Sequence, residues 1–156
     1  MLETRRRSGH VDTFVLDHLS PPELWPELEY TLPELQYPAL LNCAAELLDR
    51  NVEKGNGERI AFRSPTGNCT YSELLELSNH FANVLVNDYG LVPGQRVLLR
   101  APNNVMLAAC WFAVLKAGGI VVCTMPLLRS RERAYIIDHA RVNLMLVDDR
   151  FVEDVP

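Results

Sequence analysis

Apolar positions recur along this chain with periods that change, and each period assigns an element. NCAAELLDRNVEKG has helical spacing, with Asn42 placed to cap the first free amides and Gly55 placed to end the helix. GERIAFRS puts Ile60 and Phe62 on one face of a short strand. In TGNCTYSELLELSNHFANVLVNDYG the apolar residues Leu74, Leu77, Phe81, Val84 and Leu85 mark one helical face. Thr70 followed by Glu73 has the form of a capping box, in which two side chains satisfy the first orphan amides reciprocally. Gly90 stops that helix, and Val92-Pro93-Gly94 turns the chain.

The second half reads as strand, helix, strand, helix, strand. RVLLRA at 96–101 predicts a strand, and Asn103 or Asn104 can cap the helix VMLAACWFAVLKAG. That helix is apolar on nearly every side, as a helix buried between layers should be. IVVCT at 120–124 is the second strand, Ser130 opens a helix over RERAYIIDHAR, and NLMLVDD at 143–149 is the third strand. Continuous apolar strands alternating with helices predict an α/β fold: a parallel sheet with crossover helices.

The first 39 residues follow another rule. Pro21, Pro22, Pro26, Pro33 and Pro38 forbid a long helix, yet Trp25, Leu28, Tyr30, Leu32, Leu35 and Tyr37 recur among them. A disordered linker does not carry so many large apolar groups, so an irregular Pro-rich arm packed on the body is expected over 1–39. The α/β subdomain is expected over 40–156.

Composition narrows the function classes. A net charge of −5 argues against a nucleic-acid partner and against docking to an anionic membrane. Arg5-Arg6-Arg7 is not followed by the apolar stretch of an export signal, and no apolar run is long enough to span a bilayer. Cys43, Cys69, Cys110 and Cys123 form no CxxC pair, and three of them lie among apolar residues. They read as buried structural thiols in a reducing cytoplasm.

The glycine pair Gly118-Gly119 looks at first like a phosphate cradle. A cradle must follow a strand and precede a helix, where free amides and the helix dipole face the anion. This pair follows a helix and precedes a strand, so it reads as a helix C-cap and tight turn. Open α/β sheets bind ligands beyond the carboxyl ends of their strands. That rule selects Ala101 to Asn104, Met125 to Arg131, and Asp148 to Arg150. In the middle segment the apolar Met125, Pro126, Leu127 and Leu128 stand beside Arg129 and Arg131. This suits a ligand with a hydrocarbon arm and an anionic head; alternatively, Leu127 and Leu128 plug the core and the arginines are solvated. Asp148 and Asp149 read as a strand-end turn, because neighbouring carboxylates on an extended strand point to opposite faces. No Walker loop, G-x-S-x-G or H-E-x-x-H occurs, and no self-sufficient catalytic set is present.

TYSELLELSNHFANVL, GLVPGQRVLLRAPNN, AACWFAVLKAGGIVV and RERAYIIDHARVNLMLVDD, in that order, resemble the amino-terminal part of AMP-forming acyl-CoA synthetases of the adenylate-forming superfamily. PPELWPELEYTLPELQYP with LNCAAELLD is most similar to the benzoate- and aminobenzoate-CoA ligase branch. Gln95 departs from the aspartate usual in the family's G-D-R turn, a structural position. The family's Ser/Thr/Gly-rich phosphate loop, its Tyr-Gly-x-Thr-Glu motif, its ribose-binding aspartate and its catalytic lysine are not found in 1–156. The resemblance therefore implies an amino-terminal portion that is inactive alone, within a ligase using ATP, Mg2+ and CoA on a carboxylic acid. It also implies that Met125, Pro126, Leu127, Leu128, Arg129 and Arg131 lie on the path of CoA, with the two arginines toward its phosphates. A non-catalytic binding or scaffold module, and an adenylation domain that loads a carrier protein, stand as alternatives. Sheet edges left open in such a portion would favour self-association.

Overall fold

A computed structural model describes residues 8–27, 29–65 and 67–154. Arg5-Arg6-Arg7 and Leu28 lie outside the described residues. The chain begins with a short helical turn, α1 (Phe14–Asp17), and two 3-10 turns at Pro22–Leu24 and Pro33–Leu35, each started by a proline. A helix over 43–56 follows, wound wide with i to i+5 bonding at Ala45–Asp49 and Val52–Asn56. Asn42 Oδ1 accepts from the amides of Ala44 and Ala45, as expected of its cap, while its amide group donates to Leu115 O at 2.9 Å. Gly55, at φ 85°, marks the helix's end region, a conformation glycine adopts without strain.

Strands β1 (Ile60–Ser64) and β2 (Gly67–Thr70) form an antiparallel hairpin that leads into α2 (Tyr71–Asn87). The sequence pattern anticipated β1 but not β2, whose Gly-Asn-Cys-Thr run carries no alternating apolar signal. Thr70 Oγ1 accepts from the Glu73 amide at 3.2 Å and the Glu73 carboxylate accepts from the Thr70 amide at 2.8 Å, closing the expected capping box. Leu74 and Leu85 are buried on the inner face of α2, and between them lies Ser78, whose hydroxyl donates to Leu74 O at 2.7 Å.

The remaining elements are β3 (Arg96–Arg100), α3 (Val105–Lys116), β4 (Ile120–Cys123), α4 (Ser130–Ala140), β5 (Leu144–Val147) and a closing 3-10 turn, Asp149–Asp154. The sheet has the order β4-β3-β5, and both pairings are parallel, with Leu98 opposite Val122 on one side and Met145 on the other. This is the α/β architecture expected from the alternating pattern. Val97 and Leu99 join Leu85, Leu91, Ala113 and Val114 in one core cluster. Leu98, on the opposite face, is fully buried as well, so the central strand is covered on both sides. A second cluster of Leu48, Cys69, Leu74 and Ala109 joins the hairpin and α2 to α3. The alanines at 109 and 113 leave room for close helix approach, and Lys116 at the end of α3 pairs with Asp49 at 2.7 Å.

Two expectations need correction. Cys69 is buried and Cys110 half-buried, but Cys43 and Cys123 are exposed, the first at the start of the helix over 43–56 and the second where an edge strand ends. β4 and β5 are only partly buried, because each is an edge of a three-stranded sheet. The amino-terminal segment touches the body at His10 to Phe14, where the amides of Val11 and Asp12 both donate to Pro93 O at 2.9 Å. The proline-rich stretch that follows presents Leu24, Tyr30, Leu32, Tyr37 and Leu40 to solvent.

Candidate functional site at the carboxyl edge of the sheet

Because all three strands run the same way, one rim of the sheet collects their carboxyl ends. Three connections emerge there: 101–104 after β3, 124–129 after β4, and the turn beginning at Asp148 after β5. The glycine pair sits at the other rim. Gly118, at φ 76°, ends α3, and its carbonyl accepts from the Gly94 amide at 2.8 Å. A Cβ on Gly119 would lie 2.9 Å from Val114 Cγ1, so the second glycine serves close packing rather than anion binding. Gln95 closes the adjoining turn, its side-chain oxygen accepting from the Val92 amide at 3.0 Å, as a structural position should.

After β4 the chain makes a tight turn closed by the Leu128 amide donating to Met125 O at 3.2 Å. Met125 and Leu127 point to solvent with relative exposures of 64% and 84%, while Pro126 and Leu128 are half-buried. A core plug at Leu127 is thereby ruled out. Arg129 and Arg131 are both exposed at the start of α4. The Glu132 carboxylate accepts from the Arg129 amide at 2.9 Å, so this helix end is capped from within the first turn, and Arg129 rather than Ser130 is the capping position. The six residues that the sequence put on one ligand path therefore form one continuous turn and helix start: an exposed apolar pair followed by two exposed cations.

Two further arginines hold this turn in place. Arg100, the last residue of β3, is 1% exposed; its guanidinium donates to Pro126 O at 3.0 Å and to Phe151 O at 2.8 Å. Its charge also lies 5.0 Å from the centre of the Phe151 ring. Arg133, equally buried on α4, donates to Leu128 O and, at 3.1 Å, to Ser130 Oγ. Neither residue was singled out in the sequence. The available signal was an arginine inside the apolar run RVLLRA, where only a paired or multiply hydrogen-bonded cation is tolerated.

Past β5, both aspartates gather on one partner. Asp148 accepts from Arg150 Nε at 2.7 Å and Nη2 at 2.9 Å, and Asp149 accepts from the Arg150 amide at 2.9 Å. The strand-end turn expected of this pair is what forms: β5 ends at Val147 and the Phe151 amide donates to Asp148 O, so the two carboxylates are not splayed to opposite faces as on an extended strand. The bonds from Arg150 hold the Asp148 carboxyl well below the usual carboxylate range. No group of three or more His, Cys, Asp or Glu among the described residues could hold a metal ion. Nor does any helix among the described residues have the length and apolarity to cross a membrane.

Two clefts flank α3 beside this rim. One of about 450 Å³ is walled mainly by Phe62, Leu107, Trp111 and Phe112, with Asn103 and Cys123 also lining it. The other, of about 340 Å³, lies between α3 and β5 and includes Ala101, Cys110, Met145 and Asp148. Both are predominantly apolar.

Fold and rim together define an open α/β protein whose carboxyl edge carries an exposed apolar turn beside two exposed arginines. Residues 48–156 match the family model of the AMP-binding enzymes, and the chain belongs to that family. It is 29% identical over 119 residues to a 3-hydroxybenzoate–CoA/4-hydroxybenzoate–CoA ligase of Thauera aromatica, covering 76% of this chain and 23% of the relative. A benzoate–CoA ligase of the same organism is 24% identical over 122 residues, covering 78% and 23% respectively. A crystal structure of a benzoate CoA ligase from Burkholderia xenovorans superposes with a TM-score of 0.68 at 29% identity, over 74% of this chain and 23% of that one. The chain thus spans about a quarter of the length of the relatives it matches.

Proposed function

We propose that this chain is the amino-terminal portion of an acid–CoA ligase that acts on an aromatic carboxylic acid. In that reaction the acid's carboxylate attacks the α-phosphorus of ATP and expels pyrophosphate, giving an acyl-adenylate. The CoA thiol, losing its proton, then attacks the acyl carbon and expels AMP. The arm is assigned to 1–39 and the α/β subdomain to 40–156. ATP, Mg2+ and CoA are assigned to the complete ligase. The proposed setting is the cytoplasm.

The role given to the described residues is to line the path of CoA. The observation that carries it is the turn at the carboxyl rim, where exposed Met125 and Leu127 adjoin exposed Arg129 and Arg131. The apolar pair suits the pantetheine arm, and the cations suit phosphates, for which a guanidinium offers paired donors. The positive end of α4 adds to the attraction, though Glu132 already occupies part of its first turn.

The test is an acid panel in the complete enzyme, following AMP and thioester formation with benzoates, hydroxybenzoates and aliphatic acids. Turnover with an aromatic acid is expected; absence of AMP release with every acid would remove the ligase reading. In the active enzyme, Arg129→Ala with Arg131→Ala should raise the KM for CoA about five- to tenfold, the loss of one or two charge-assisted contacts at an exposed site, with the KM for ATP unchanged.

A further inference from the structure

The turn that carries the proposed CoA contacts has few means of holding its own shape. It is four residues long, and two of its side chains extend into solvent. Among the described residues it is closed by the 3.2 Å bond from the Leu128 amide to Met125 O. Yet two of its carbonyls each meet a buried guanidinium from a different element. Pro126 O receives Arg100 from the end of the central strand, and Leu128 O receives Arg133 from the second turn of α4.

Burial makes these contacts consequential. Both arginines are 1% exposed, so the carbonyls take the place of water around the charge. A carbonyl that swung away would give up a charge-assisted hydrogen bond made out of contact with water. Arg100 also grips Phe151 O at 2.8 Å, which ties the turn after β4 to the turn after β5. A planar guanidinium can span two carbonyls of separate loops in fixed directions, whereas an ammonium is a flexible point charge. Arg100 starts from the carboxyl end of the central strand, with β4 and β5 on either side.

We infer that Arg100 and Arg133 are positioning residues: they clamp the Met125–Leu128 turn at two carbonyls so that Met125, Leu127, Arg129 and Arg131 are presented in one fixed arrangement to CoA. The inference rests on the proposed CoA path. It adds that the shape of that path is set by two cations that do not touch the ligand.

The experiment compares variants of the complete ligase in its two half-reactions. Arg100→Lys keeps the charge and loses the span between the two loops. It should raise the KM for CoA about fivefold or more, while the KM for ATP in adenylate formation holds within about twofold. A merely structural role would move both constants together or lower the amount of folded enzyme. Should Arg100→Lys fail to fold, Pro126→Gly decides: it keeps both arginines and the accepting carbonyl but frees the turn, and the same selective rise in the KM for CoA is expected. Unchanged CoA kinetics in the folded variant, or a matching rise for ATP, overturns the inference. The Arg129→Ala, Arg131→Ala enzyme separates the two levels. If it shows weakened CoA use and the clamp variants do not, only the positioning role fails. If it is unchanged as well, the CoA path itself falls, and the positioning role with it.

Discussion

The two rims of the parallel sheet begin from the same residue type and diverge. β3 carries an arginine at each end, and both are buried. At the amino rim Arg96 pairs with Asp12 at 2.7 Å and donates to the carbonyls of Gly94, Ala140 and Arg141 at 2.8–3.0 Å. Phe14 lies between Arg96 and Arg141, its ring centre 4.8 and 4.9 Å from the two charges. The described residues pack closely at this rim: a Cβ on Gly94 would fall 2.1 Å from Asp12 O, and one on Gly118 would press on Pro93. At the carboxyl rim Arg100 meets carbonyls of two loops, and the residues beyond those carbonyls stand in solvent. At the amino rim the partners of Arg96 close the surface; at the carboxyl rim Met125 and Leu127, on either side of the Pro126 carbonyl that Arg100 meets, stay exposed.

The sharpest way to break this contrast is Arg96→Ala. It removes the hub of the closed rim, taking the shared donor from the Gly94, Ala140 and Arg141 carbonyls and the cation from beside Asp12, so it should cost about 3 kcal/mol of folding stability by urea unfolding. A loss below about 1 kcal/mol would mean that the closed rim does not depend on its cation. Asp12→Asn should cost less, because Arg96 keeps its three carbonyl partners. Its signature is in pH. The hydrogen bond from Arg96 lowers the Asp12 pKa below 3.8, so its stabilisation is present above the unfolded value and is lost as pH falls through the folded one. Wild-type stability should therefore drop more steeply below pH 4 than that of Asp12→Asn, and parallel curves would contradict the pairing. The smallest effect is expected at the open rim: Leu127→Ser, at a position 84% exposed, should change folding stability by no more than about 0.5 kcal/mol. A large loss there would show that the turn is part of the core after all.

What could be read before folding divides along physical lines. Period and caps are local, so the chain's own pattern determined the α/β alternation, the Thr70–Glu73 box, the turn at Gly118 and the placement of 125–131 beyond a strand's end. The same locality explains the misses. β2 has no apolar alternation and exists through pairing with β1. Cys43 and Cys123 sit among apolar neighbours in sequence, but exposure is decided by where elements end. Asp148 and Asp149 form the strand-end turn expected of them, but their carboxylates converge on Arg150 because β5 stops one residue earlier. Above all, RVLLRA reads alike at both of its arginines. Only the tertiary structure gave Arg96 a carboxylate from position 12 and gave Arg100 the carbonyls of Pro126 and Phe151, since a buried charge is satisfied by whichever acceptors the fold brings to it across the chain.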